Sequence, residues 1–144
     1  MATAWLSLGA NIGDPDRQLA QAVALLRANP DITVTAWSDV IVTPPWGKAD
    51  QPDFHNMAAG IETSLSPREL LDACLAIEVQ LGRRRRERWG PRLIDIDIIA
   101  YERLEIDLPG LTLPHPRAHE RDFVLTPLRQ IAPEVADWLV GRSG

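Results

Sequence analysis

Residues 94–99 read Ile94-Asp95-Ile96-Asp97-Ile98-Ile99. Strict alternation of apolar and charged residues matches a β-strand, whose side chains alternate between two faces; on a helix the same residues would scatter around the axis. The pattern predicts a strand over Leu93–Tyr101 with Asp95 and Asp97 on one face, their bases roughly 6–7 Å apart. Like charges so placed repel unless a cation sits between them. Converging carboxylates suit a hard divalent ion, and Mg²⁺ takes one or two carboxylates plus phosphate oxygens. The plain alternative is a solvent-facing strand whose aspartates pair with nearby arginines.

Those arginines are close in sequence. Residues 83–92 hold six of them, at 83, 84, 85, 86, 88 and 92, against one glutamate, Glu87. This segment carries +5 in a chain of net charge −5, which leaves −10 on the other 134 residues. A general nucleic-acid binder spreads basic charge over a face and reaches a basic pI, whereas this chain has a pI near 5.1. A single basic segment on an acidic body points to a small polyanion such as a polyphosphate, clamped between metal-bearing aspartates and arginines. The alternatives are a solvated loop, or an RNA-contacting patch with Trp89 stacking on a base.

The remaining elements follow from periodicity and caps. Residues 3–9 form a buried strand ending in Gly9-Ala10-Asn11-Ile12-Gly13. Asp14 caps a helix with Pro15 at its first position, and Asn29-Pro30 ends it. Residues 31–43, rich in Ile, Val, Thr and Trp, read as one long strand with a register shift near Ala36-Trp37. A stiff loop follows from Thr43-Pro44-Pro45-Trp46-Gly47 to Asp53, then a strand over 54–63 that puts Phe54 and Asn56 on one face. Ser66-Pro67-Arg68-Glu69 is a capping box opening a helix with the stripe Leu70, Cys74, Ile77 and Leu81, ended at Gly82. Past Tyr101 the chain is Leu- and Pro-rich, with Leu113-Pro114-His115-Pro116 and two short helices expected near 117–129 and 133–141.

The order β-α-β-β-α-β predicts an α+β, ferredoxin-like βαββαβ fold: a mostly antiparallel four-stranded sheet with two helices on one face. Its other face must be covered by loops, the tail or ligand. At 144 residues one domain spanning 1–144 is expected. The single cysteine, Cys74, excludes an intramolecular disulfide, no apolar run reaches membrane-span length, and no basic region opens the chain as in a signal peptide. A cytoplasmic location is therefore expected.

Arg88-Trp89-Gly90-Pro91-Arg92-Leu93-Ile94-Asp95-Ile96-Asp97-Ile98-Ile99 resembles the signature of the 6-hydroxymethyl-7,8-dihydropterin pyrophosphokinases. Gly9-Ala10-Asn11-Ile12-Gly13-Asp14, Thr43-Pro44-Pro45, Asp50 to Asn56 and Leu113-Pro114-His115 follow in the family's order. The resemblance implies a monomeric, Mg²⁺-dependent enzyme that transfers pyrophosphate from ATP to the hydroxymethyl group of the dihydropterin, releasing AMP, in folate biosynthesis. It implies that Asp95 and Asp97 hold two Mg²⁺ ions and that Arg83 and Arg92 support transfer from a mobile loop. Thr43, Pro44, Trp46, Phe54, Asn56 and Phe123 should bind the pterin. Leu71, Arg85, Arg88, Trp89, Ile98, Thr112, His115 and Arg121 should line the ATP site. Ala10, Gly110 and Pro116 depart from residues found in some relatives. Neither nucleic acid nor membrane is expected as a partner. The rival readings are an RNA-binding module using the arginine loop and a catalytically inactive ferredoxin-like scaffold.

Overall fold

A computed structural model describes residues 1–44, 52–82 and 94–143. The elements run β1 (Ala2–Ala10), α1 (Pro15–Ala28), β2 (Ile32–Trp37), β3 (Ile41–Thr43), β4 (Phe54–Thr63), α2 (Pro67–Gln80), β5 (Asp95–Tyr101), β6 (Ile106–Leu108), β7 (Leu111–Leu113), a 3-10 turn (Ala118–Glu120), α3 (Asp122–Ile131) and α4 (Pro133–Ser143). The main sheet has the order β2-β4-β1-β5, every pair antiparallel, with β3 also on β4. With α1 and α2 as crossovers this is the expected split βαβ arrangement.

Both crossover helices start where local chemistry directs. The Asp14 side chain accepts from the Arg17 N–H at 3.3 Å, with Pro15 at the first position. At α2, Ser66 Oγ accepts from the Glu69 N–H at 3.2 Å, and Glu69 Oε1 accepts from the Ser66 N–H at 2.9 Å. The two helices bury Leu19, Leu26, Leu70 and Cys74 against Leu6, Leu8, Ile61, Ile96 and Ile98 of the sheet.

Three expectations need correction. The long strand over 31–43 is two strands. Ser38 Oγ accepts the Ala58 N–H at 2.8 Å in place of a backbone carbonyl, and the Asp39 N–H turns away to Gln130 Oε1, also at 2.8 Å. The pairing with β4 shifts between Val34 and Ala36 and resumes at Ile41. The Leu- and Pro-rich stretch contains a hairpin, β6–β7, which pairs Leu108 with Leu111 around Pro109-Gly110. Gly110 has φ +76°, which the position after proline in a type II turn requires. The first tail helix begins five residues later than expected, after the 3-10 turn.

Among the described elements, α3 and α4 cover the second face of the sheet over only half its length. There Ala58, Ile99 and Ala100 pack against Val124, Leu125, Leu128, Val135 and Leu139 of α3 and α4, with Trp5 and Phe123 at the margin. Arg103 is held between the rings of Trp5 (5.7 Å) and Trp138 (4.9 Å), which pins α4 to the start of β1. In the other half, the same face carries Ser7, Gly9, Phe54, Asn56, Asp95 and Asp97, none of them in either apolar cluster.

Because α2 depends on a reciprocal cap, Ser66→Ala is expected to lower unfolding stability by about 1 kcal/mol. A shift in the urea midpoint with unchanged slope checks this; no shift would mean that packing alone sets the start of α2.

Candidate active site

Strand register builds the site. Asp95 lies opposite Gly9, and Gly9 opposite Asn56; one step along, Asp97 lies opposite Ser7 and Ser7 opposite Ala58. Asp95, Gly9 and Asn56 therefore form one row across β5, β1 and β4. With strands about 4.8 Å apart, the backbones of Asp95 and Asn56 are about 10 Å apart on the same face. Asp95 is half-buried and Asp97 exposed. Asn56 is buried, and its Nδ2 donates to Thr43 Oγ1 at 3.0 Å. A Cβ on Gly9 would stand 2.8 Å from Asn56 Oδ1, so only glycine leaves room for that carboxamide. The Thr43 side chain thereby fixes the orientation of Asn56. Pro44 follows it, exposed, and Phe54 is half-buried at the start of β4.

On β5 the register slips by one between Trp5 and Leu6, so Ile99 is an extra residue. Its carbonyl accepts the His115 N–H at 2.8 Å, which seats the 113–116 segment beside β5. The Leu113–Pro114 peptide is cis. The Arg117 N–H donates to His115 Nδ1 at 3.1 Å, so the neutral ring carries its proton on Nε2. Burial, reinforced by the Arg121 and Arg117 charges, draws the His115 pKa down to about 4. Arg121 is half-buried, with its guanidinium 5.6 Å from the Phe123 ring centre. Burial lowers its pKa, while the charges of Asp97, Glu120 and Asp95 act against that. It therefore lies within electrostatic reach of both aspartates.

A cleft of about 410 Å³ runs along the outer edge of β5, lined by Leu71 from α2, Ile96 to Ile98, the β6–β7 hairpin and His115-Pro116. It gathers Leu71, Ile98, Thr112 and His115, four of the residues expected to line the ATP site, together with Asp97. The Ile98 side chain is core, so this residue lines the cleft through its place on the strand edge. Sequence reasoning missed Asp107, Leu108 and Leu111, which also line it; Thr112 Oγ1 donates to Asp107 Oδ1 at 3.0 Å. The overlooked signal was Pro109-Gly110 between the alternating Ile106-Asp107-Leu108 and Leu111-Thr112-Leu113. Trp46, Arg83, Arg85, Arg88, Trp89 and Arg92 lie outside the described residues.

The family model for 7,8-dihydro-6-hydroxymethylpterin-pyrophosphokinase matches residues 5–133. The chain belongs to this family. It is 52% identical over 135 residues to the 2-amino-4-hydroxy-6-hydroxymethyldihydropteridine pyrophosphokinase of Methylorubrum extorquens, covering 94% of this chain and 85% of that protein. The enzyme of the same name from Bacillus subtilis is 49% identical, over 92% of this chain and 79% of its own. Among solved structures, the HPPK-DHPS of Plasmodium falciparum superposes with a TM-score of 0.67 at 15% identity. That match covers 93% of this chain and 40% of the larger one, and it supports the fold. Among the described residues no helix is long and apolar enough to cross a membrane.

His115 gives a pH prediction with a defined sign. Its folded pKa lies below the ordinary histidine value near 6.5, so the unfolded chain takes up a proton at higher pH than the folded one does. Its effect on stability is absent above pH 6.5 and becomes a loss as pH falls toward 4, reaching about 2–3 kcal/mol. His115→Asn should flatten urea-unfolding stability between pH 6.5 and 4 relative to the parent; parallel pH profiles would contradict the buried neutral ring.

Proposed function

We propose that this pyrophosphokinase carries out its transfer from ATP on the half of the sheet that α3 and α4 leave uncovered, with the pterin near Asn56 and the triphosphate over Asp95 and Asp97. One observation carries this reading: the row Asp95–Gly9–Asn56 puts a carboxylate and a buried, preoriented amide on one face. The backbone spacing of about 10 Å leaves room for a hydroxymethyl group and a phosphate between them.

The donor set suits Mg²⁺. Asp95 and Asp97 offer hard oxygen ligands from one strand face, and no group of three His, Cys, Asp or Glu is assembled to hold a metal among the described residues. A divalent ion here would complete its shell with phosphate oxygens, as Mg²⁺ does with nucleotides, and two ions are the number proposed. When bound, Mg²⁺ supplies positive charge to the phosphate oxygens and the departing group.

The remaining roles belong to the chain. The β5-edge cleft holds the nucleoside, with Leu71 as apolar wall and Thr112 on the hairpin opposite. His115 offers its Nε2 proton to a phosphate oxygen while staying uncharged at neutral pH. Arg121, within reach of both aspartates and stacked on Phe123, faces the boundary between triphosphate and pterin. Phe54 and Phe123 supply aromatic faces for the pterin ring, and Asn56, fixed by Thr43, reads its edge. Arg83, Arg85, Arg88, Trp89 and Arg92 supply further phosphate contacts, Arg83 and Arg92 at the group in transit. The pterin hydroxyl oxygen attacks the β-phosphorus as the bond to the α-phosphate oxygen breaks; AMP leaves and the hydroxyl proton passes to solvent. Positioning and charge stabilisation carry most of the rate. The chain acts as a monomer.

Asp97→Asn should cut AMP formation from MgATP and the reduced pterin alcohol by about 1000-fold, consistent with losing several kcal/mol of transition-state stabilisation. Near-parental turnover would reduce the pair to a salt-bridged strand face. Gly9→Ala, which forces its Cβ against Asn56 Oδ1, should weaken pterin binding about tenfold, roughly 1.4 kcal/mol. Nucleotide affinity should change less than twofold. Calorimetry with a non-hydrolysable ATP analogue separates the two, and an equal loss of both would contradict the role of Asn56.

A further inference from the structure

Glu78 stands in the last turn of α2 with 3% of its surface exposed, on the same stripe as Leu70, Cys74 and Ile77. A carboxylate in an apolar core is costly unless strong hydrogen bonds compensate for lost water. Its Oε2 accepts the Ile96 N–H at 2.6 Å, a short charge-assisted bond. Ile96 is the residue between Asp95 and Asp97. Among the described residues β5 is the edge strand of the sheet, and only β1 pairs with it there, on the opposite side. The Ile96 N–H on the outer edge would otherwise have no ladder partner.

We infer that Glu78 is a positioning residue for the aspartate pair: its buried carboxylate fixes the β5 backbone between Asp95 and Asp97, so that both side chains leave the strand at the spacing a shared cation site needs. An edge strand held on one side only can twist or slip, and a two-residue spacing is only as exact as the peptide in its middle. Glu78 sits two residues before Gln80, the last residue of α2, so the same bond ties the end of α2 to the start of β5, on either side of the arginine segment. Its closeness also contributes, after burial, to pushing the Cys74 thiol up to about 12, which keeps that sulfur protonated in the core.

The inference rests on reading Asp95 and Asp97 as the cation carboxylates, and the two can fail separately. Three variants separate geometry from charge. Glu78→Gln keeps an acceptor for Ile96. Glu78→Met removes the acceptor at similar volume. Glu78→Asp keeps the charge on a side chain too short to reach. The readout is the Mg²⁺ concentration needed for half-maximal binding of a non-hydrolysable ATP analogue, with thermal stability and pterin affinity measured alongside.

Glu78→Gln should stay within threefold of the parent, while Glu78→Met and Glu78→Asp should need at least tenfold more Mg²⁺. The methionine variant should melt within a few degrees of the parent, because removing a buried carboxyl from the apolar core offsets the unpaired Ile96 N–H, and its pterin affinity should stay within twofold. If the methionine variant does not fold, the aspartate variant carries the same test. Parental Mg²⁺ demand in the folded methionine or aspartate variant would overturn the inference, as would a rise in Mg²⁺ demand that comes with equal losses of pterin affinity and thermal stability. If Asp97→Asn also leaves Mg²⁺ demand unchanged, the reading of the aspartates fails first.

Discussion

Two carboxylates leaving one face of a strand repel each other, and here they stand beyond the part of that face which α3 and α4 cover. The pairing of β5 with β1 sets this arrangement. It turns Ile96 and Ile98 into the core under α1 and α2 and points Asp95 and Asp97 at the half of the sheet that α3 and α4 do not cover. A one-residue slip of β5 would bury both charges, so the isoleucines lock the register that keeps the aspartates outward. The extra residue Ile99 then turns the face back to apolar just past the site and hands its carbonyl to His115.

The same logic arranges the neighbours. Gly9 yields its side-chain volume to the Asn56 carboxamide, Thr43 holds that amide from the adjoining strand, and the β6–β7 hairpin raises a wall opposite Leu71. Two different surfaces thus meet at β5. A buried, hydrogen-bonded amide stands on the sheet face, and a partly apolar cleft with a neutral histidine lies along the edge.

Much of this was legible because the governing signals are local. The Ser66–Glu69 capping box and the alternation at 94–99 each specify an element from within a few residues, and the βαββαβ order leaves one common arrangement. What stayed hidden depends on distant partners. The break at Ser38 exists because its hydroxyl meets the Ala58 N–H twenty residues away. That Thr43 orients Asn56 follows from β3 pairing with β4. The hairpin was readable from Pro109-Gly110, and Glu78 from its place on an otherwise apolar stripe.

Replacing Mg²⁺ with paramagnetic Mn²⁺, together with a non-hydrolysable ATP analogue, tests where the cation is held most directly. Amide signals should broaden most at Ser7, Gly9 and Asp95 to Asp97, less across Asn56, and hardly at all at Trp138 on α4. Broadening centred on the acidic start of α1 at Asp14 and Asp16, or none near β5, would contradict a cation site built on the aspartate pair.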